Sequence, residues 1–120
     1  MKVLIVDDSK LARLSIIKIL KETNPDAQIA EAENGAIAVD LYSKNSFDIV
    51  LLDLTMPVMD GFEALAKIMQ IDPDAKVVVI SADIQAKAKL EVLRLGATNM
   101  IAKPISKEKM QEVLSNGWVE

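Results

Sequence analysis

The chain contains no cysteine and no histidine. The first absence removes disulfides, thiol nucleophiles and zinc-thiolate sites together. The second removes imidazole ligands, a histidine general base and a phosphohistidine, so any metal must be held by oxygen. Aromatic residues make up only 3% of the chain, which leaves the core to Leu, Ile, Val, Ala and Met. Basic residues are the minority, 14 Lys and Arg against 18 Asp and Glu for a net charge of −4, and they form no cluster that would track a phosphate backbone. Long apolar runs are missing too: the opening run, Val3 to Val6, stops at two acids, too short for a signal peptide or a membrane span. These absences predict a soluble cytoplasmic protein with no direct contact to nucleic acid or membrane.

What is present is 120 residues, 51% of them hydrophobic, which suits a single domain over 1–120. Short apolar runs at Val3 to Val6, Ile29 to Ala32, Ile49 to Leu52, Val77 to Ile80 and, more weakly, Met100 to Ala102 predict five strands. Between and after them lie segments with helical spacing, among them Leu11, Leu14, Ile17 and Leu20, and Phe62, Leu65, Ala66 and Met69. Asn24-Pro25 and Asp72-Pro73 stop helices, and Gly96 and Asn116-Gly117 can close two more. "NPDAQI" and "DPDAKV" share this punctuation without being a repeat. Strands 1, 3 and 4 are apolar without alternation, which means burial on both faces. Alternating βα order then gives an α/β fold, a doubly wound parallel sheet with five helices on its two faces.

In such a sheet ligands bind beyond the carboxyl ends of the strands. Strand 1 ends on Asp7 and Asp8, strand 3 on Asp53, strand 4 on Ser81 with Asp83 beyond it, and strand 5 on Lys103. Three carboxylates close together repel and raise each other's pKa unless a cation neutralises them. A hard divalent ion such as Mg²⁺ meets that need, being held by one or two carboxylates plus phosphate oxygens. Lys103 is expected as a mobile second cation on the far side of Asp53, leaving that carboxylate ionised and able to attack a phosphoryl group. The Ser81 hydroxyl is placed to donate to a phosphoryl oxygen, and Lys103-Pro104 is a candidate for a cis peptide.

Taken singly, each of these residues is more simply a turn former or a helix cap. Ser9 is expected to cap helix 1, and Met56, Met59, Met69 and Met110 to serve as loop or core packing. Trp118 is expected to be a docking or surface residue. The chemical reading rests on the joint occurrence of acids after strands 1 and 3, a hydroxyl after strand 4 and Lys-Pro after strand 5.

Over essentially its whole length the chain resembles the receiver domains of two-component response regulators. The motifs that carry the resemblance are "IVDDS", "DIVLLDLTMPVMDGFEAL", "VVVISAD" and "LGATNMIAKPI". It implies a flavodoxin-like strand order 2-1-3-4-5, Asp53 as phosphoacceptor, and Mg²⁺ held by Asp7, Asp8, Asp53 and the backbone carbonyl of Thr55. It also implies Ser81 and Lys103 on the phosphoryl group and Gly61 at the start of helix 3. The donor would be a sensor histidine kinase, a phosphotransfer protein or a small acyl phosphate. The domain would catalyse only its own phosphorylation and dephosphorylation, and is not otherwise an enzyme. Output would pass to a partner through the helix 4, strand 5 and helix 5 face, from a monomer or a phosphorylation-dependent dimer. One departure stands out: three residues before the lysine, where the family commonly has Tyr or Phe as a switch residue, this chain has Met100. It raises the alternative of a receiver-like interaction module whose output is atypical or independent of phosphate. A phosphatase of the haloacid dehalogenase type would need a second Asp where Thr55 stands. An FMN site would need a Gly/Ser/Thr-rich phosphate loop where "DDS" stands.

Overall fold

The structure, a computed structural model, describes residues 1–54, 56, 58–82 and 85–114. Elements alternate from β1 (Lys2–Val6) and α1 (Lys10–Thr23) through β2 (Gln28–Ala32), α2 (Gly35–Lys44), β3 (Ile49–Leu52) and α3 (Gly61–Ile71). β4 (Val77–Ser81), α4 (Ala86–Arg94), β5 (Asn99–Ala102) and α5 (Lys107–Leu114) follow. All strands are parallel, in the order β2-β1-β3-β4-β5. The five strands and the doubly wound topology are therefore as the sequence predicts.

Every residue of β3 and β4, and all of β1 beyond Lys2, is buried, whereas the edge strands β2 and β5 carry exposed residues. Alternation along these strands feeds two cores. Leu4, Val6, Val50, Leu52, Val77 and Val79 meet Ala38 and Tyr42 of α2, Leu65 and Ile68 of α3 and Val92 of α4 on one face. Val3, Ile5, Ile49, Leu51, Val78 and Ile80 meet Ile16 and Leu20 of α1 and Met110 and Val113 of α5 on the other. Met56, Met59, Met69 and Met110 all join these cores.

The helix borders follow local chemistry. Ser9 caps α1 by accepting from the Ala12 N–H at 3.2 Å, and Asp60 caps α3 by accepting from Glu63 at 3.0 Å. The helices α1 and α3 end at Asn24 and Asp72, the residues before proline. Gly96 follows α4 with φ +114°, a backbone setting that side chains disfavour. Gly61 opens α3 with its N–H on the Leu54 carbonyl at 2.8 Å. A Cβ there would collide with the Asp53 carbonyl oxygen and come within 2.6 Å of the Leu54 Cα. Glycine thus lets α3 start against the backbone of the strand that ends on Asp53. Asn116-Gly117 and Trp118, like Thr55 and Asp83, lie outside the described residues.

Candidate functional site

Register brings the acids together. Val6 pairs with Leu52, so Asp7 and Asp53 each lie one residue past a paired position on neighbouring strands. The Asp53 N–H donates to the Val6 carbonyl at 2.9 Å and the Asp7 N–H to the Ala32 carbonyl at 3.1 Å. Ser81 pairs with Ala102, so Lys103 is one step beyond β5, and its N–H donates to the Ser81 carbonyl at 2.9 Å. Period-two alternation then sorts the side chains. Asp7 continues the row of Val3 and Ile5, Asp53 the row of Ile49 and Leu51, and Lys103 the row of Ile101, all on the α1/α5 face. Ser81 and Met100 belong to the opposite face, where Met100 pairs with Val79, two residues before Ser81 on β4.

Asp7, Asp53 and Ser81 are buried, and Asp8 is exposed. Carboxylate oxygens of Asp7, Asp8 and Asp53 all lie within 4.8 Å of one another. The Lys103 ammonium stands 2.6 Å from Asp7 Oδ2 and 3.3 Å from Asp53 Oδ1. The expected position of the ammonium, on the far side of Asp53, is corrected: Lys103 stands between two acids and closer to Asp7, because β1 and β3 deliver those carboxylates to the same row. Lys103-Pro104 is cis.

Burial, followed by the charge of Asp7, raises the Asp53 pKa above its ordinary carboxylate value, and Lys103 only partly opposes this. For Lys103, burial alone would lower the pKa, but the hydrogen bond to Asp7 and the charges of Asp53 and Asp7 outweigh it, and the net shift is upward. One ammonium among three carboxylates leaves the cluster with surplus negative charge. Three oxygen donors with such a surplus fit a small hard divalent ion, and the ligands Asp7, Asp8 and Asp53 are the residues that would hold it.

Two residues at this edge escape a reading of strand ends. Arg13 on α1 donates from Nη1 to the Asp7 carbonyl at 2.7 Å and from Nε to Glu31 Oε1 on β2 at 2.8 Å. The available signal was a basic residue on the second turn after a double acid, which any solvated helix face would also show.

With this geometry in view, comparison with known proteins decides the family: residues 3–115 match the response regulator receiver domain. The chain belongs to that family. Relatives of this receiver domain include the chemotaxis protein CheY of Listeria monocytogenes, 45% identical over 95% of both chains, and that of Thermotoga maritima, 39% identical over 95% of this chain and 94% of the other. Among solved structures, a chain of the CheX-CheY-BeF3-Mg²⁺ complex from Borrelia burgdorferi is 34% identical with a TM-score of 0.91, covering 100% of this receiver domain and 90% of that chain. Receiver domains are signalling proteins rather than classical enzymes, and no described helix of this one is long and apolar enough to cross a membrane.

Proposed function

We propose that this receiver domain is a CheY-type chemotaxis switch of the cytoplasm that accepts a phosphoryl group on Asp53 in a Mg²⁺-dependent reaction. The observation that carries this reading is one lysine bridging Asp7 and Asp53 beside three converging carboxylates. That arrangement favours phosphoryl chemistry over a phosphate-independent interaction module, which has no need of a buried acid pair and its counter-cation.

In the reaction an Asp53 oxygen attacks the phosphorus of a phosphohistidine on a sensor kinase or phosphotransfer protein, or of an acyl phosphate. The new O–P bond forms as the bond to the donor breaks and the leaving group keeps the electron pair: the imidazole nitrogen of a phosphohistidine takes up a proton as it leaves, whereas an acyl phosphate leaves as its carboxylate. Mg²⁺, when bound by Asp7, Asp8, Asp53 and the Thr55 carbonyl, supplies charge neutralisation for the carboxylates and the transferring group. Lys103, already 3.3 Å from Asp53 Oδ1, would supply a positive charge to the oxygens of the transferring group. Hydrolysis reverses the modification: water attacks phosphorus and Asp53 leaves as carboxylate.

Output follows from the second row of side chains. The Ser81 hydroxyl donates to a phosphoryl oxygen, and the end of β4 moves with it. Met100, buried on the same face and paired with Val79 two residues before Ser81, repacks in response. An unbranched thioether can do so without the ring that other family members place there. The α4/β5/α5 face, where Leu90 and Leu93 are exposed, would carry the change to an output protein or a second copy. Beryllofluoride with Mg²⁺ tests the reading by fluorine NMR: a bound signal is expected for the wild type and none for Asp53→Asn. A wild type without a bound signal refutes it.

A further inference from the structure

Arg13 approaches the acidic cluster, yet its contact there is with main chain. Its side chain is only 12% exposed, and its two bonds go to the Asp7 carbonyl and to Glu31. The Asp7 carbonyl and the Asp8 N–H share one planar peptide, so a bond that fixes the carbonyl also fixes the direction in which the chain leaves toward Asp8.

The three carboxylates differ in how they are held. Asp7 is clamped at both oxygens, by the Ser9 N–H at 3.0 Å on Oδ1 and by Lys103 at 2.6 Å on Oδ2. Asp53 has Lys103 at 3.3 Å. Asp8 is exposed, and among the described residues no side-chain hydrogen bond or ion pair restrains it. Its place in the cluster depends on its backbone alone.

We propose that Arg13 is a positioning residue for cation binding: by locking the Asp7–Asp8 peptide, with its guanidinium oriented by Glu31, it holds the otherwise unrestrained Asp8 carboxylate in the metal-binding set. This rests on the Mg²⁺-dependent reading above. A planar fork suits the task, because Glu31 occupies Nε and leaves Nη1 directed at the carbonyl, a division that a lysine ammonium cannot reproduce. The sign of the effect separates positioning from charge. As a mere positive charge near the site Arg13 would repel Mg²⁺, and its removal would tighten binding. As a positioning residue its removal weakens binding.

The test is Mg²⁺ affinity by calorimetric titration of the full chain, with melting of the metal-free protein recorded alongside. Arg13→Met is expected to weaken Mg²⁺ by about tenfold, the scale of outer-shell partners at metal sites, and Glu31→Gln by less. Arg13→Lys should recover only part of the loss. Asp8→Asn should cost less affinity in the Arg13→Met background than in the wild type, a non-additivity that general destabilisation would not produce. Unchanged or tighter binding by Arg13→Met, or additive losses with Asp8→Asn, overturns the proposal while leaving phosphoryl transfer intact. A wild type that takes up no Mg²⁺ overturns the metal-dependent reading and this proposal with it.

Discussion

Lys103 Nζ lies 2.6 Å from Asp7 Oδ2 and 3.3 Å from Asp53 Oδ1, one ammonium spanning two acids from β1 and β3. Removing it leaves two buried carboxylates facing each other. Lys103→Met is therefore expected to destabilise the metal-free protein by about 1–3 kcal/mol, below the full cost of breaking a buried pair because the lysine keeps some contact with water. Urea unfolding measures this. The double variant with Asp53→Asn should recover part of the loss, and an unchanged midpoint for Lys103→Met would contradict the pairing.

The raised Asp53 pKa fixes the sign of a pH effect. Between the ordinary carboxylate value of 3.8 and the raised native value, the folded state holds the Asp53 proton more tightly than the unfolded chain. Stability contributed by that proton is present at low pH and lost as pH rises through this window. The metal-free Asp53→Asn variant should accordingly melt above the wild type at neutral pH, with the gain shrinking toward pH 4. Lys103, also raised, contributes stability that is lost only on passing its own raised pKa above 10.5, so it does not mask the effect. A gain that grows on acidification would contradict the assignment.

Val58, in the loop leading from β3 to α3, has φ +70° and is 83% exposed. A β-branched residue in that region is strained, and no burial at this position offsets the cost. Val58→Asn should stabilise the fold by about 1 kcal/mol, since Asn tolerates this conformation. Thermal melting reads the change, and a lower melting temperature would count against it.

Ser81 and Met100 share a side-chain row, and they should separate chemistry from response. Ser81→Ala is expected to bind beryllofluoride still, while losing most of the change in the Met100 methyl NMR signal that binding produces in the wild type. A Met100 methyl that responds equally in both proteins would remove Ser81 from the coupling.

Much of this was legible because the relevant signals are local. Uninterrupted runs such as Val77 to Ile80 mark buried strands, and Ser9, Asn24, Gly61 and Asp72 mark helix borders by their own backbone chemistry. The strand-end rule led to Asp7, Asp8, Asp53, Ser81 and Lys103, since parallel register carries their neighbours into line. Pairing between distant side chains was less accessible. Lys103 reaches Asp7 across 96 positions of sequence, and nothing in the order of residues says which of two neighbouring acids it meets more closely. Arg13 was missed because its partner at the site is a carbonyl, which every residue possesses.

Incubation with acetyl phosphate and Mg²⁺ followed by intact-mass analysis reads phosphoryl transfer to Asp53 itself. The wild type is expected to gain one phosphoryl group that is lost on further incubation, with no gain for Asp53→Asn or when Mg²⁺ is chelated. A wild type that remains unmodified, or an Asp53→Asn variant that gains the group equally, would rule out Asp53 as the phosphoacceptor.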